Sequence, residues 1–304
     1  MTSGRLPDEP CCYLTGISQN ARVRACTPNA MTMSQDLLER ATAPEESPVP
    51  MPRAMLIFAH PDDEVVALGA RLGRFFSALF VHVTDGAPKN EQDSRAHGFA
   101  SLDEYRQARE RELTQALMLA GIEDAGRVRL EIPDQEASFR LPRLSHEIER
   151  LLVDHRPEVA FTHPYEGGHP DHDACAFAVH QAATLLRTRG ETAPLIIEGA
   201  FYHAGSSGVE AGCFLPDAEK RYELTYQLSE EERSQKGALL ACFATQQQTL
   251  SGFPLDYERF RIAPDYDFLQ PPNVGSVLYD HFPWGVTSAQ FCAMAREALE
   301  VPCR

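Results

Sequence analysis

Five short apolar runs punctuate this chain: Met55–Ala59, Ala78–Thr84, Val128–Ile132, Val159–Thr162 and Leu195–Tyr202. A segment long enough for a helix separates each from the next. Such runs have the length and character of strands buried on both faces, and connections of this length exclude hairpins between them. The pattern therefore predicts a mostly parallel sheet with helices on both faces. Helices are predicted over Val65–Ser77, from a Ser101–Glu104 capping box to Gly121, over 143–155 and over 173–189 closed by Gly190. Beyond residue 204 the order loosens: Glu223–Leu228 reads as a late strand, Ser229 with Glu232 caps a helix to about 249, and Thr287–Leu299 reads as a terminal helix.

Residues 1–50, rich in Pro, Ser, Thr and Ala without sustained periodicity, read as a flexible N-terminal tail, and 51–304 as a single domain. Within that domain the polar segment 87–100 is long enough to act as a lid, and the aromatic, proline-rich segment 252–286 reads as a covering loop. Lys plus Arg at 28 against Asp plus Glu at 44 leave a net charge of −16, which argues against a phosphate backbone or an anionic membrane surface as partner, so no nucleic acid is expected. No apolar run approaches the ~18 to 20 residues that span a bilayer, and the N-terminus lacks the order of a secretory signal, so the expectation is a cytoplasmic protein without a membrane span. The eight cysteines are scattered without a C-x-x-C pair, suggesting reduced thiols rather than a thiolate zinc site or a disulfide framework.

Two of the strand-to-helix junctions repeat the tripeptide His-Pro-Asp: His60-Pro61-Asp62-Asp63 and His169-Pro170-Asp171-His172. In an open α/β sheet such junctions share one edge, where ligands bind, so the two loops can meet over one point. Imidazole and carboxylate together suit zinc, and a catalytic zinc takes three protein ligands and keeps one position for water. His60 and Asp63, three residues apart, share a face of the first helical turn and are compatible with one metal; His172 or His169 completes the set. Asp62 then stands beside the metal as a base for a water whose pKa zinc lowers to about 7. Of the other histidines, His82 reads as core, while His163 and His203 end strands near the site and are candidates for touching substrate. No G-x-G-x-x-G follows the first strand, which argues against a dinucleotide ligand.

The A-H-P-D-D-E run after the first strand, with H-P-D-H more than a hundred residues on, resembles the PIG-L/LmbE family of metal-dependent N-deacetylases, over roughly residues 53 to 250. The resemblance implies an α/β, Rossmann-like three-layer sandwich and hydrolysis of the acetamide on an N-acetylglucosamine conjugate, a small-molecule partner. It further implies zinc, with another divalent metal such as Fe2+ as an alternative, held by His60, Asp63 and His172. Asp62 is then the general base, and His169 stabilises the oxyanion or protonates the leaving amine, held in place by Asp171. By the same resemblance Arg109, in R-x-x-E-L, contacts substrate and Asp134 bonds sugar or aglycone hydroxyls. Some members carry a tyrosine two residues before the second-motif histidine, where this chain has Gly167; Tyr165 is the nearest substitute. Three rival readings remain at this point: hydrolysis of a different amide, a non-haem iron oxygenase using the two-histidine, one-carboxylate set, and an inert metal-binding protein. An iron triad has no use for the spare carboxylate of Asp62.

Overall fold

The computed structural model describes residues 30–206, 208–216, 221–273 and 277–300. In chain order its strands are β1 (Ala54–Phe58), β2 (Leu79–Pro88), β3 (Gly126–Asp134), β4 (Val159–Thr162), β5 (Leu195–Gly199), β6 (Tyr202–Gly205), β7 (Gly208–Ala211), β8 (Glu223–Gln227) and β9 (Tyr257–Ile262). The α-helices are α1 (Ala30–Ala41), α2 (Asp63–Leu68), α3 (Gln92–Ala96), α4 (Leu102–Leu119), α5 (Leu141–His155), α6 (Pro170–Thr188), α7 (Glu230–Leu240), α8 (Gln247–Leu250) and α9 (Ser288–Glu300). Seven strands make one sheet in the order β3-β2-β1-β4-β5-β9-β8, with β6 and β7 paired separately as a hairpin. The first five of these are parallel, and β9 runs antiparallel to both β5 and β8. The predicted α/β three-layer architecture with a mostly parallel sheet is the observed one.

Alternation along the central strands feeds two cores. Met55 and Ile57 of β1 join Ala160 of β4 in a core under α5, α6 and α9. Leu56 and Phe58 join Phe80, Phe161 and Ile197 in the opposite core, under α2, α4 and α7. Full burial of such side chains is worth about 1.5–3 kcal/mol each. Both faces are thus covered, which is why β1 reads as an unbroken apolar run.

Strand order reverses between β1 and β4, since the chain winds outward through β2 and β3 on one side and through β5 on the other. Register pairs Ala54 with Val159, Met55 with Ala160 and Leu56 with Phe161, so the two strands end side by side. The loops that leave them carry the two His-Pro-Asp motifs and open into one crevice.

Three expectations differ from the structure. The flexible tail assigned to 1–50 holds a helix from Ala30, with Leu38 and Ala41 in the core; residues 1–29 lie outside the described residues. What fixes this segment is remote in sequence: Arg71 donates to Thr42 O at 2.6 Å, and Arg74 donates to Ala43 O and Val49 O at 2.8 Å each. The helix predicted over Val65–Ser77 tightens after α2 into a 3-10 turn over Gly69–Phe75, which carries both arginines inward. The covering loop 252–286 contains β9, an interior strand of the sheet. Its sequence, YERFRI, hides this because it buries charge: Glu258 pairs with Arg71 and with Lys236 at 3.0 Å and accepts from Ala70 N at 2.9 Å, while Arg261 reaches Glu198 at 2.7 Å.

Glu258 is the common counter-ion of two buried cations, so Glu258→Gln leaves Arg71 and Lys236 without compensation. The expected cost is about 3 kcal/mol, read as a lower urea midpoint at unchanged slope.

Candidate active site

The turn after β1 is built by backbone constraint. Asp62 has φ 156° and ψ −22°, a conformation L-residues rarely adopt, and its carbonyl caps α2 by accepting from Val65 and Val66 N–H. Asp63 folds back to accept from His60 N–H at 2.7 Å. In the loop after β4 the backbone passes close to the carbonyl of Tyr202 at Gly168, where a Cβ would overlap it. At its end His169 caps α6, with Nδ1 accepting from Asp171 N–H at 3.2 Å.

Three donor groups then converge. His60 Nδ1 and His172 Nε2 stand 3.3 Å apart; Asp63 Oδ2 is 3.4 Å from the former and Asp63 Oδ1 3.5 Å from the latter. Donors about 2.1 Å from a tetrahedral cation stand roughly 3.4 Å from one another, a spacing each pair meets, with Asp63 turning one oxygen to each histidine; Asp63 and His172 also group with His163 as donors that could hold a metal ion. His169 also offers a ring nitrogen within 4.8 Å of those of His60 and His172, but its Nδ1 is taken by the helix cap. The far side of His60 is held by carboxylates: Nε2 is 3.1 Å from Asp134 Oδ1 and 3.5 Å from Asp171 Oδ2. A proton held there leaves the Nδ1 lone pair facing the cluster, the arrangement by which carboxylates orient metal-binding histidines. Burial alone would lower the pKa of His60; the charge and hydrogen bond of Asp134, with the bonds to Asp171 and Asp63, outweigh it and raise it well above the ordinary value. Burial would likewise raise that of Asp63, but His172 and His163 hold it well below the usual carboxylate range. The pocket favours positive charge at this point.

Beside this cluster Arg109, only 2% exposed, donates from Nη2 to Asp62 Oδ2 at 3.1 Å. Among the described residues its Nε has no hydrogen-bond partner and its Nη1 lies 3.7 Å from Glu112 Oε2; the residue lines a cavity of about 480 Å³ that also touches His60, Asp62, Asp63, His169 and His172. Gly86, at φ +62°, is what admits it: a Cβ there would lie 2.9 Å from Arg109 Nε. Burial pushes the Asp62 carboxyl up to about 7, against the pull of Arg109. Burial, and then the charge of His60, brings His169 down to about 3, so its imidazole is neutral with the proton on Nε2.

Residues 55–183 match the family model described as PIG-L: GlcNAc-PI de-N-acetylase. The chain carries a PIG-L family domain. Among solved structures, the antimicrobial reagent A40926 pseudoaglycone deacetylase is 22% identical, with 70% of this chain and 99% of that one covered at a TM-score of 0.52. A deacetylase of teicoplanin biosynthesis is 18% identical, covering 71% of this chain and 100% of its own at 0.53. The N,N'-diacetylchitobiose deacetylase from Pyrococcus horikoshii is 16% identical, covering 85% and 97% at 0.50. At these identities the likeness is one of fold. No curated protein matches the chain.

Within the PIG-L domain, His60, Asp62, Asp63, Arg109, Asp134, His169, Asp171 and His172 all come together. Three positions differ from the sequence reading. Asp171 meets the His169 ring through its backbone N–H and not its carboxylate, which accepts from Gln135 N–H at 2.6 Å and Ala137 N–H at 2.9 Å and faces His60, because α6 turns it beneath the loop after β3. Asp134 faces His60 as well as the cavity. Tyr165 lies in the core against Tyr266, Phe268 and Phe291, donating to Gln270 O at 2.9 Å, because the loop turns away between it and the motif. The cavity is instead lined by Tyr202, whose ring is 5.5 Å from His172, and by Trp284, 4.6 Å from His169. Neither carries a local signal beyond its aromatic character. His163 does not touch the cavity; it stacks under His172 at 3.8 Å and accepts from Ala59 N–H. His203 lies behind the cavity wall, and His82 is buried against Glu64. Of the segment 87–100, Asp93 reaches the cavity lining.

Asp134 bonds the far nitrogen of His60, so Asp134→Asn should weaken binding of a divalent metal by about 10–100-fold without abolishing it, measured by competition with a chromophoric chelator.

Proposed function

We propose that this protein removes the acetyl group from the N-acetylglucosamine moiety of a small conjugate, giving acetate and a free amine, with His60, Asp63 and His172 as ligands of a divalent metal. The observation that carries the reading is the spare carboxylate: Asp62, buried beside the donor cluster and bonded to Arg109, has no place in a merely structural metal site. The family description names a GlcNAc-PI de-N-acetylase and the neighbours above are named deacetylases, which supports the reaction class.

Zinc suits this two-nitrogen, one-carboxylate set and would supply Lewis-acid polarisation of the acetamide carbonyl and a water of lowered pKa. Asp62 accepts the proton of the attacking water, through the oxygen that Arg109 does not occupy. His169 donates Nε2–H to the carbonyl oxygen as negative charge develops, an interaction stronger in the transition state than with the substrate. As the C–N bond breaks, the proton held by Asp62 passes to the leaving nitrogen. Arg109 holds Asp62 in place from Nη2 and sets its charge beside the cavity. Asp134 and Asp171 keep His60 in its tautomer. Trp284, stacked on Phe282 at 4.5 Å, and Phe253 offer an apolar wall for the face of a sugar ring.

Zinc-loaded protein should release acetate and amine in equal amounts from N-acetylglucosamine conjugates, and Asp62→Asn should lower kcat by about 10²–10⁴-fold at unchanged metal content. No release from any conjugate by the metal-loaded protein would overturn the reading.

The base must be ionised, so kcat/KM falls as pH drops through the Asp62 pKa, pushed up to about 7 by burial. Arg109 opposes that rise, and Arg109→Gln removes the opposition. The acidic limb of the kcat/KM profile should therefore move to higher pH in the variant; a limb that stays in place would show that another group titrates.

A further inference from the structure

The β6–β7 hairpin walls the cavity with one face and presents different chemistry on the other. Tyr202, Val209 and Ala211 line the cavity, while His203 and Glu210 form a cross-strand pair on the opposite side. Cys213 follows β7 and brings its thiol to within 3.7 Å of His203 Nε2. One donor atom from each of His203, Glu210 and Cys213 lies within 4.8 Å of the others.

We infer that His203, Glu210 and Cys213 form a second site for a borderline-soft divalent cation, of which zinc is the best match, separate from the catalytic cluster and independent of its reading. The imidazole is already oriented for it. His203 Nδ1–H donates to Ala204 O at 3.1 Å, so the lone pair on Nε2 points towards the thiol. A zinc-bound sulfur at about 2.3 Å and nitrogen at about 2.1 Å stand roughly 3.6 Å apart in tetrahedral geometry, close to the separation found here. Glu210 supplies the hard donor and sits at the solvent edge, with its carboxylate folded over Gly205, where a Cβ would overlap it.

The thiol is held on both flanks. Gly212 N–H donates to Phe201 O at 2.6 Å, the Phe214 ring lies 4.0 Å beneath the Arg261 guanidinium, and Leu215 N–H donates to Glu166 Oε1 at 2.8 Å. The site is therefore rigid on its cysteine and histidine sides and open on its glutamate side, which leaves a fourth position to water. Burial and the charge of Glu210 push the Cys213 thiol up, so it holds its proton at neutral pH; binding a dication releases that proton to solvent and forms the metal–sulfur bond. A cation here ties β6 to the segment after β7 and stiffens the wall that carries Tyr202.

The test is a cobalt(II) titration of the full chain, following the near-ultraviolet charge transfer from thiolate to cobalt together with the number of ions bound. The donors of the catalytic cluster contain no sulfur, so Asp63→Asn should leave the band in place. Cys213→Ser and His203→Ala should each lose one bound equivalent together with its share of the band. The chain has seven other cysteines, so the reading is the difference between wild type and variant. Glu210→Gln, at an exposed position that folding tolerates, should keep the band at saturation but need more cobalt to reach it. A wild type without the band at saturating cobalt, or a Cys213→Ser variant with unchanged band and stoichiometry, overturns the inference.

Discussion

The chemistry of this molecule depends on one pairing, that of β1 with β4. They are neighbours in the sheet but 105 positions apart in register, Ala54 opposite Val159, and each hands over to a helix at the same edge. Parallel pairing forces both chains to leave in the same direction, and the reversal of winding between them keeps any crossover from filling the gap. Two short loops that are unremarkable alone therefore face each other across a few ångströms. A slip of one residue would exchange the faces of β1, sending Leu56 and Phe58 into the wrong core and His60 away from His172.

The second constraint is charge. Three carboxylates, those of Asp63, Asp134 and Asp171, surround His60, and Asp62 is buried alongside. Such density is tolerated because each group has a partner: Asp63 accepts from His60 N–H and lies near His163, Asp171 takes two backbone N–H groups, and Asp62 has Arg109. The remaining imbalance raises the pKa of His60 and makes the centre receptive to a cation. The same device recurs away from the site, where Glu258 compensates Arg71 and Lys236 and where Glu198 and Glu166 share Arg261. In a chain with a net charge of −16, the buried arginines hold helix α1 and strand β9 in place.

Much of this is legible in the amino-acid sequence. The alternation of apolar runs with helix-length segments dictated the parallel sheet, since strands buried on both faces must be continuous apolar runs. The motifs named the cluster because residue types at a strand-to-helix junction have a known place in such a sheet. Where the reading failed, the missing information was a partner far along the chain. Residues 30–50 look unstructured until Arg71 and Arg74 claim their carbonyls, and YERFRI looks unlike an interior strand until its charges are matched. The scattered cysteines gave no metal signature, because the histidine and glutamate beside Cys213 come from two strands of a hairpin.

The sequence by itself determined the five parallel strands, their crossovers and the residues at the two motif junctions, because backbone periodicity and motif chemistry are local properties. Only the tertiary structure decided how those groups divide their labour. It turned Asp171 and Asp134 towards His60, buried Tyr165 in the core, and brought Tyr202 and Trp284 to the cavity. These are questions of direction rather than composition: which way a side chain faces depends on the packing of elements distant in the chain, and no local pattern encodes it.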